Sequence, residues 1–114
     1  MAIPPEAAAD AEAALTQFCA EHSSNVSGDR QQYIYEFETN AVILIEQRAA
    51  FVNASNWTSK PIAKFRYSEA RNNWSLYWSE SSERWNRVSN VEAAKDIRVL
   101  LDVVVKDPLG VFWS

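Results

Sequence analysis

Two short segments of the chain, at residues 62–68 and 74–79, alternate between apolar and polar side chains and constrain the fold more than any other feature. The first reads IAKFRYS and the second WSLYWS. Successive side chains of a β-strand point to opposite faces of the sheet, so every second residue shares a face. Each segment therefore predicts a strand with one apolar and one polar face. Such strands are typical of an antiparallel sheet with one packed face and one hydrated face.

The two faces of this strand pair predict different roles for their side chains. On the second strand the apolar face carries Trp74 and Trp78, so we expect both rings to be core residues. The opposite face of the pair carries Lys64, Arg66 and Tyr77. These three side chains form the candidate binding face.

A β-hairpin is predicted before this strand pair. The segment RQQYIYEFETNAVILIEQRAAF is rich in β-branched and aromatic residues and is interrupted by Thr39 and Asn40. It predicts strands at 31–38 and 41–48. Both faces of the hairpin carry apolar side chains, so periodicity alone leaves open which of them is buried.

Amphipathic helices are predicted at both ends of the chain. The sequence PPE at 4–6 is typical of a helix start, and the apolar side chains that follow at spacings of three and four predict a helix over 5–21. Near the C-terminus, SNVE at 89–92 matches a capping box, in which Ser is followed three residues later by Glu. The apolar stripe behind it predicts a helix over 90–106 that ends before Pro108.

The remaining segments complete the order of elements. SSNVSGD at 23–29 is interpreted as a turn-rich linker and VNASNWTSKP at 52–61 as a long loop. ESSE at 80–83 predicts a turn, and RWNRV at 84–88 predicts a short fifth strand. The order is then helix, a meander of about five antiparallel strands, and helix. Because two amphipathic helices need one apolar sheet face, we predict a two-layer α+β fold, a single domain over 1–114, with both helices on one sheet face.

Composition and charge limit the class of protein. No apolar run in the 114 residues approaches the roughly 20 residues of a membrane-spanning helix. The acidic N-terminus lacks the features of a signal peptide, and the lone Cys19 forms no internal disulfide, so we predict a cytoplasmic protein with no membrane partner. The net charge is −4, and it is concentrated in residues 1–40, which hold seven acidic residues and one basic residue.

Residues suited to acid–base or covalent chemistry are sparse. Cys19 and His22 stand three positions apart on the first helix, but the sequence holds no further Cys or His to complete a metal site. A lone cysteine on an apolar helix face is usually a small buried hydrophobe, and we interpret Cys19 in this way. Glu36 and Glu38 share one face of the hairpin and Glu46 lies on the other; we interpret all three as solubilising groups or partners of basic side chains. No metal site, cofactor or catalytic residue is predicted.

The candidate binding face has two interpretations. A basic sheet face with an aromatic ring is the arrangement with which sheet proteins bind single-stranded nucleic acid, through phosphate contacts and base stacking. Depending on the strand register, Arg48 and Arg87 join Lys64, Arg66 and Tyr77 there. The other interpretation is a hydrated face stabilised by cross-strand Arg–Glu pairs.

The chain ends close to an aromatic pair, Phe112 and Trp113. Burying two such rings stabilises a fold by on the order of several kcal/mol. We therefore expect this tail either to fold back onto its own domain or to dock on a second copy or another partner, and the sequence leaves both open.

Together these observations predict a non-enzymatic module that binds another protein or a second copy of itself. Its contact surface would include the candidate binding face or the tail with Phe112 and Trp113. The alternative is a single-stranded nucleic-acid binder that uses Lys64, Arg66 and Tyr77. An enzyme that uses scattered carboxylates is a third hypothesis.

Three stretches of the chain, ILIEQRAAF, WTSKPIAKFRYSEARNNWSLYW and LLDVVVKDPLGVFWS, carry a family likeness. In this order they resemble a bacterial family called domain of unknown function 3024, over roughly residues 41–114. Asn86 and Ser114 stand where that family usually has His and Gly. The resemblance implies no activity and no catalytic residues for this chain.

Overall fold

The fold is seen in a computed structural model that describes residues 3–22, 24–26, 29–49, 57–81, 84–88 and 91–107. An N-terminal helix, six strands and a second helix follow one another along the chain. In order they are α1 (Pro5–His22), β1 (Ser24–Val26), β2 (Asp29–Phe37), β3 (Ala41–Ala49), β4 (Trp57–Ser68), β5 (Asn73–Ser81), β6 (Arg84–Arg87) and α2 (Ile97–Lys106).

The strands form one antiparallel sheet in which each strand pairs with its neighbour in sequence, from β1 to β6. Both helices pack on the same face of this sheet, α1 on β2 and α2 on β4 and β5, and they also contact each other. One cluster of buried side chains joins Leu15 and Phe18 of α1 and Leu100 of α2 to Phe65 and Leu76 of the sheet. The predicted α+β meander with two helices on one face is therefore confirmed.

The register between β2 and β3 decides which face of the hairpin is buried. Tyr35 lies opposite Leu44 and Phe37 opposite Val42, and both Leu44 and Val42 are fully buried in the core beneath the helices. The Tyr35 hydroxyl lies 2.9 Å from the hydroxyl of Thr16 on α1. The tyrosine-bearing face is thus the helix-facing one, although Phe37 at its end remains exposed.

The second helix begins later than the capping box predicts. Residues 91–96 are not helical, and the backbone of Ala94 exchanges two hydrogen bonds with Trp74, at 2.7 and 2.9 Å. These bonds hold the segment beside β5, so the prediction of a helix from 90 is wrong. Asp96 is the N-cap: its carboxylate accepts a hydrogen bond from the Arg98 backbone N–H at 3.0 Å. The helix ends at Lys106, and its C-cap Asp107 adopts the left-handed conformation with φ 44°.

The predicted loop at 52–61 is also wrong in part, because β4 begins at Trp57. Proline cannot donate a ladder hydrogen bond, so Pro61 argues against a central strand. The pairing with β3 shifts register there: Ile45 lies opposite Pro61, whereas Leu44 lies opposite Ala63. This bulge adds one residue to β4 and accommodates the proline in the interior of the sheet.

Two further segments differ from the sequence prediction. Part of the predicted linker at 23–29 forms β1, which pairs with β2 through Val26 and Asp29, so the meander has six strands rather than five. The predicted turn at 80–83 begins too early, because β5 continues to Ser81. Short polar strands of this kind lack the apolar alternation that reveals a strand in sequence.

The two tryptophans of β5 differ in burial. Trp74 is 2% exposed and belongs to the core cluster, as predicted. Trp78 packs against the same cluster but is only partly buried, so its prediction as a full core residue is too strong. Trp78 pairs with Ala63 of β4 and with Asn86 of β6.

Candidate binding face

The sheet face opposite the helices, called here the outer face, brings together the three side chains singled out from the sequence. Lys64 on β4 lies directly opposite Tyr77 on β5, and Arg66 lies opposite Ser75. Directly opposed residues in an antiparallel pair have Cβ atoms about 5 Å apart, so their side chains are neighbours. The helix-facing side chains between them, such as Phe65, are buried. Lys64, Arg66 and Tyr77 therefore share one face, as the alternation predicts.

The neighbouring strand β6 adds two residues to the outer face. Arg87 lies opposite Tyr77 and Trp85 lies opposite Ser79. Arg87 was expected only in some registers, and the observed register places it there. Trp85 was missed, although the alternation of RWNRV contains the signal once Arg87 is assigned to the outer face. The side chain of Arg48 lies outside the described residues.

Lys64 is already engaged by its neighbours. Its Nζ lies 3.1 Å from Oε1 of Glu38 and 5.9 Å from the centre of the Trp85 ring. The ion pair satisfies the lysine charge, and the ring lies at the distance of a cation–π contact. Glu38 and Trp85 therefore compete with any ligand for the charge of Lys64.

A groove of about 510 Å³ opens on the outer face between the β4–β5 turn and the segment after β6. Its polar lining includes three guanidinium groups, two phenol rings and one carboxylate. The residues are Arg66 and Tyr67 on β4, Arg71 on the turn, Tyr77 on β5, Arg87 on β6 and Glu92 beyond it. Residues from β4, the turn after it, β5, β6 and the segment beyond β6 thus converge on one concave site.

Arg71 is held over the groove by the turn at 69–72. Asn72 adopts the left-handed conformation with φ 53°, which Asn tolerates better than most residues. Its side-chain oxygen accepts a hydrogen bond from the Tyr67 hydroxyl at 3.2 Å, which fixes the turn to β4. Sequence reasoning missed Arg71 because a turn residue follows no strand alternation.

The arginines of the groove are exposed and form no ion pair with the carboxylates that the structure describes. Within the described ranges, no carboxylate lies within salt-bridge distance of Arg66, Arg71 or Arg87. Arg87 donates a hydrogen bond from Nη2 to the Val91 carbonyl at 3.3 Å, which orients its guanidinium without neutralising it. With Glu92 included, the groove has a formal charge of plus two from three cations and one anion.

Cys19 and His22 on α1 make contacts that are typical of packing. The His22 ring stacks on Phe18 with centroids 4.2 Å apart, and its Nδ1 lies 2.9 Å from the Phe18 carbonyl. Burial raises the pKa of the Cys19 thiol to about 11. At neutral pH the thiol is therefore protonated, which is the unreactive form.

The three glutamates of the hairpin are separated. Glu38 pairs with Lys64, as described above, and Glu36 is exposed. Glu46 is buried on the helix-facing side and accepts a hydrogen bond from the Tyr33 hydroxyl at 3.3 Å. Glu38 thus fits the interpretation as a partner of a basic side chain and Glu36 that of a solubilising group, whereas the burial of Glu46 does not fit a solubilising role.

Two features are absent from the described residues. No group of three or more His, Cys, Asp or Glu side chains there could hold a metal ion. No helix in that part of the chain is both long enough and apolar enough to cross a membrane. The tail with Phe112 and Trp113 lies outside the described residues, so its role stays a prediction.

The fold and the groove define a class: an α+β protein with an antiparallel sheet, helices on one face and an arginine-lined groove on the other. The chain belongs to the family described as a domain of unknown function (DUF3024), whose model matches residues 3–114. The resemblance over 41–114 is thereby confirmed and extends through β1, β2 and α1. Comparisons with curated proteins and with solved structures gave no match.

Proposed function

We propose that this chain is a non-enzymatic, bacterial-type interaction module that binds a protein partner through its outer face. The observation that carries the proposal is the groove in which Arg66, Arg71 and Arg87 are exposed and have no carboxylate partner among the described residues. Unpaired guanidinium groups in a concave site favour an acidic ligand, because they form charge-assisted hydrogen bonds with it.

The side chains around the groove also favour a protein partner. Arginine, tyrosine and tryptophan are the residue types that carry most binding energy at protein interfaces, and the outer face presents Tyr77 and Trp85 beside the arginines. Half-buried Ile43, directly opposite Lys64, adds an apolar contact next to them. A charged groove beside partly buried apolar side chains has the composition of such an interface.

A second copy of this chain is one partner that the proposal includes. Residues 1–40 carry seven acidic residues and one basic residue, and Glu6, Asp10, Glu12 and Glu21 of α1 are exposed. The acidic helix of one copy complements the arginine groove of another. Such a head-to-tail contact uses two different surfaces, so it predicts concentration-dependent assemblies larger than a closed dimer.

Single-stranded nucleic acid is the second candidate ligand, and one specific observation favours it. The outer face holds two rings, Tyr77 and Trp85, where the sequence indicated one. Rings beside cations are the means by which sheet proteins stack bases and contact phosphates. Against it stands the net charge of −4, which repels a polyanion outside the groove.

Affinity capture from the native host, with identification by mass spectrometry, tests the proposal. We expect a protein partner to be recovered by the unmodified chain and lost by Arg66→Glu. Lys106→Glu is the control away from the outer face: it makes the same charge change at an exposed position on α2, where Lys106 forms an exposed ion pair with Asp102. If both variants retain the partner equally, the outer face is not its contact surface.

Anisotropy titrations with labelled ligands separate the two candidates. We expect an acidic peptide to bind more tightly than a thymidine oligonucleotide of equal charge at physiological salt. Tighter binding of the oligonucleotide, with a steep loss of affinity as salt rises, would favour the nucleic-acid candidate instead. The mass in solution, measured over a range of concentrations by light scattering, tests self-association separately.

A further inference from the structure

We infer that the arginine groove is a site for a phosphomonoester dianion, the group that a phosphorylated side chain of a protein partner carries. This inference rests on the proposed function, because it specifies which part of the partner enters the groove. Three arguments lead to it: the charge of the groove, the arrangement of the arginines, and the space beside them.

The charge of the groove matches a phosphomonoester. Arg66, Arg71 and Arg87 contribute three positive charges and Glu92 one negative charge, a formal balance of plus two. A phosphomonoester carries about −1.5 to −2 at pH 7, and it can neutralise this balance in one group. A single carboxylate or phosphodiester carries one negative charge and leaves part of the arginine charge uncompensated.

The arrangement of the arginines suits a tetrahedral oxyanion. The three side chains start from β4, from the turn at 69–72 and from β6, so they approach the groove from different directions. Guanidinium groups form bidentate hydrogen bonds with phosphate oxygens, and clusters of arginine are a recurring mode of phosphopeptide recognition. The strand register fixes the backbone positions of Arg66 and Arg87, and the bond to the Val91 carbonyl orients the Arg87 guanidinium.

The groove has room for more than a phosphate. Its volume of about 510 Å³ lies within the roughly 300–1,000 Å³ typical of small-ligand sites. Tyr77 lines it beside the arginines and provides an apolar surface for the stem of the phosphorylated residue. The neutral side chains of Asn40, Asn73 and Ser75 also line the groove and can donate hydrogen bonds.

Phenyl phosphate is a suitable probe, because it combines a phosphomonoester with a ring that can pack on Tyr77. We expect it to bind the full chain at pH 7.5 and to shift the amide NMR signals of β5, β6 and the turn at 69–72. Arg66→Gln should weaken binding by about tenfold, the effect of losing one charge-assisted hydrogen bond. Lys106→Glu, on α2, should leave the affinity unchanged.

Glu92→Gln gives a test that does not depend on a loss of binding. Removing the carboxylate removes its repulsion of the phosphate, so this variant should bind phenyl phosphate more tightly than the unmodified chain. In the same variant we expect affinity to fall between about pH 7.5 and pH 5.5, because the second pKa of a phosphomonoester is about 6. The single histidine, His22, lies on α1 and takes no part in the groove.

Three outcomes would overturn the site. The first is that the protein binds phenyl phosphate and benzoate with equal affinity. The second is that substitution of Arg66 or Glu92 leaves the affinity for phenyl phosphate unchanged. The third is that phenyl phosphate shifts the amide NMR signals of the helices instead of those of the groove. A labelled peptide with one phosphoserine and a 5′-phosphorylated oligonucleotide identify the source of the group. Tighter binding of the oligonucleotide would overturn the assignment to a protein partner.

The site and the proposed function fail in different ways. If partner capture depends on Arg66 but phosphatase treatment of the partner leaves capture unchanged, the phosphate site is wrong and the interaction module stands. If phenyl phosphate binds with the expected dependence on Arg66 but Arg66→Glu captures partners normally, the site stands and the proposed interaction surface is wrong.

Discussion

Replacing Trp74 by alanine should be among the most destabilising single changes in the described part of the chain. Trp74 is 2% exposed, and its ring meets Tyr67 edge-on with centroids 5.0 Å apart. Its backbone exchanges hydrogen bonds with Ala94 at 2.7 and 2.9 Å. The substitution removes the ring and keeps the backbone able to form these bonds, so the measured loss reports on side-chain packing.

The size of the loss can be worked out from burial. An aromatic side chain buries about 150–250 Å², which at about 25 cal/mol per Å² gives an upper value of roughly 4–6 kcal/mol. Core substitutions of Phe or Trp by Ala cost about 3–5 kcal/mol when measured. We expect Trp74→Ala to fall in this range, against a total free energy of unfolding of about 5–15 kcal/mol for an ordinary domain.

Urea unfolding followed by far-ultraviolet circular dichroism measures the effect without relying on tryptophan fluorescence. Trp78→Ala is the matched comparison, because Trp78 lies on the same strand and the same face but is only partly buried. We expect it to cost clearly less than Trp74→Ala. A loss below about 1 kcal/mol for Trp74→Ala, or a larger loss for Trp78→Ala, would refute the packing described here.

Three further predictions concern separate parts of the chain. Asp96→Ala should lower the free energy of unfolding by about 1 kcal/mol in urea titrations, because it removes the N-cap of α2; an unchanged midpoint would contradict that role. Cys19 should react slowly with iodoacetamide at pH 8 unless the protein unfolds, because burial raises the pKa of its thiol to about 11. Because the folded state holds the thiol proton more tightly than the unfolded state, the free energy of unfolding should decline as pH rises from 9.0 towards 11. Removing residues 110–114 should lower the melting temperature or dissociate an oligomer, and light scattering distinguishes the two; unchanged mass and stability would show a tail that contributes to neither.

The sheet at the centre of the fold is predictable from sequence because burial imposes a period of two on its strands. In β4 and β5 the buried Phe65 and Leu76 alternate with Arg66 and Tyr77, so a one-residue error of register would put charge in the core. The β2–β3 hairpin lacked this contrast, since both of its faces carry apolar residues. The buried face there depends on where α1 packs, and sequence periodicity does not contain that information.

The errors in the sequence prediction arise where a tertiary contact overrides a local signal. A capping box at 89–92 favours a helix start, but the two backbone bonds between Ala94 and Trp74 hold the following segment beside β5. Pro61 indicates a loop, but a bulge opposite Leu44 and Ile45 absorbs it within β4. In both places the deciding partner is remote in sequence.

The candidate site was predictable only for residues that follow the strand alternation. Lys64, Arg66 and Tyr77 share a face because they occupy every second position of paired strands. Arg71 lines the groove because of the conformation of the turn at 69–72. Glu92 lines it because the segment after β6 runs beside β5. The sequence therefore indicates a basic face, and the three-dimensional fold concentrates its charge into one groove.

The two faces of the sheet separate stability from binding in a way that experiments can use. The core lies between the sheet and the helices, and its members are apolar and buried. Arg66, Arg71 and Arg87 are exposed on the opposite side and form no ion pair with the described carboxylates. Neutralising one of them removes repulsion between like charges and breaks no ion pair in the described part of the fold. Loss of binding in such a variant can therefore be attributed to the groove whenever its unfolding curve matches that of the unmodified chain.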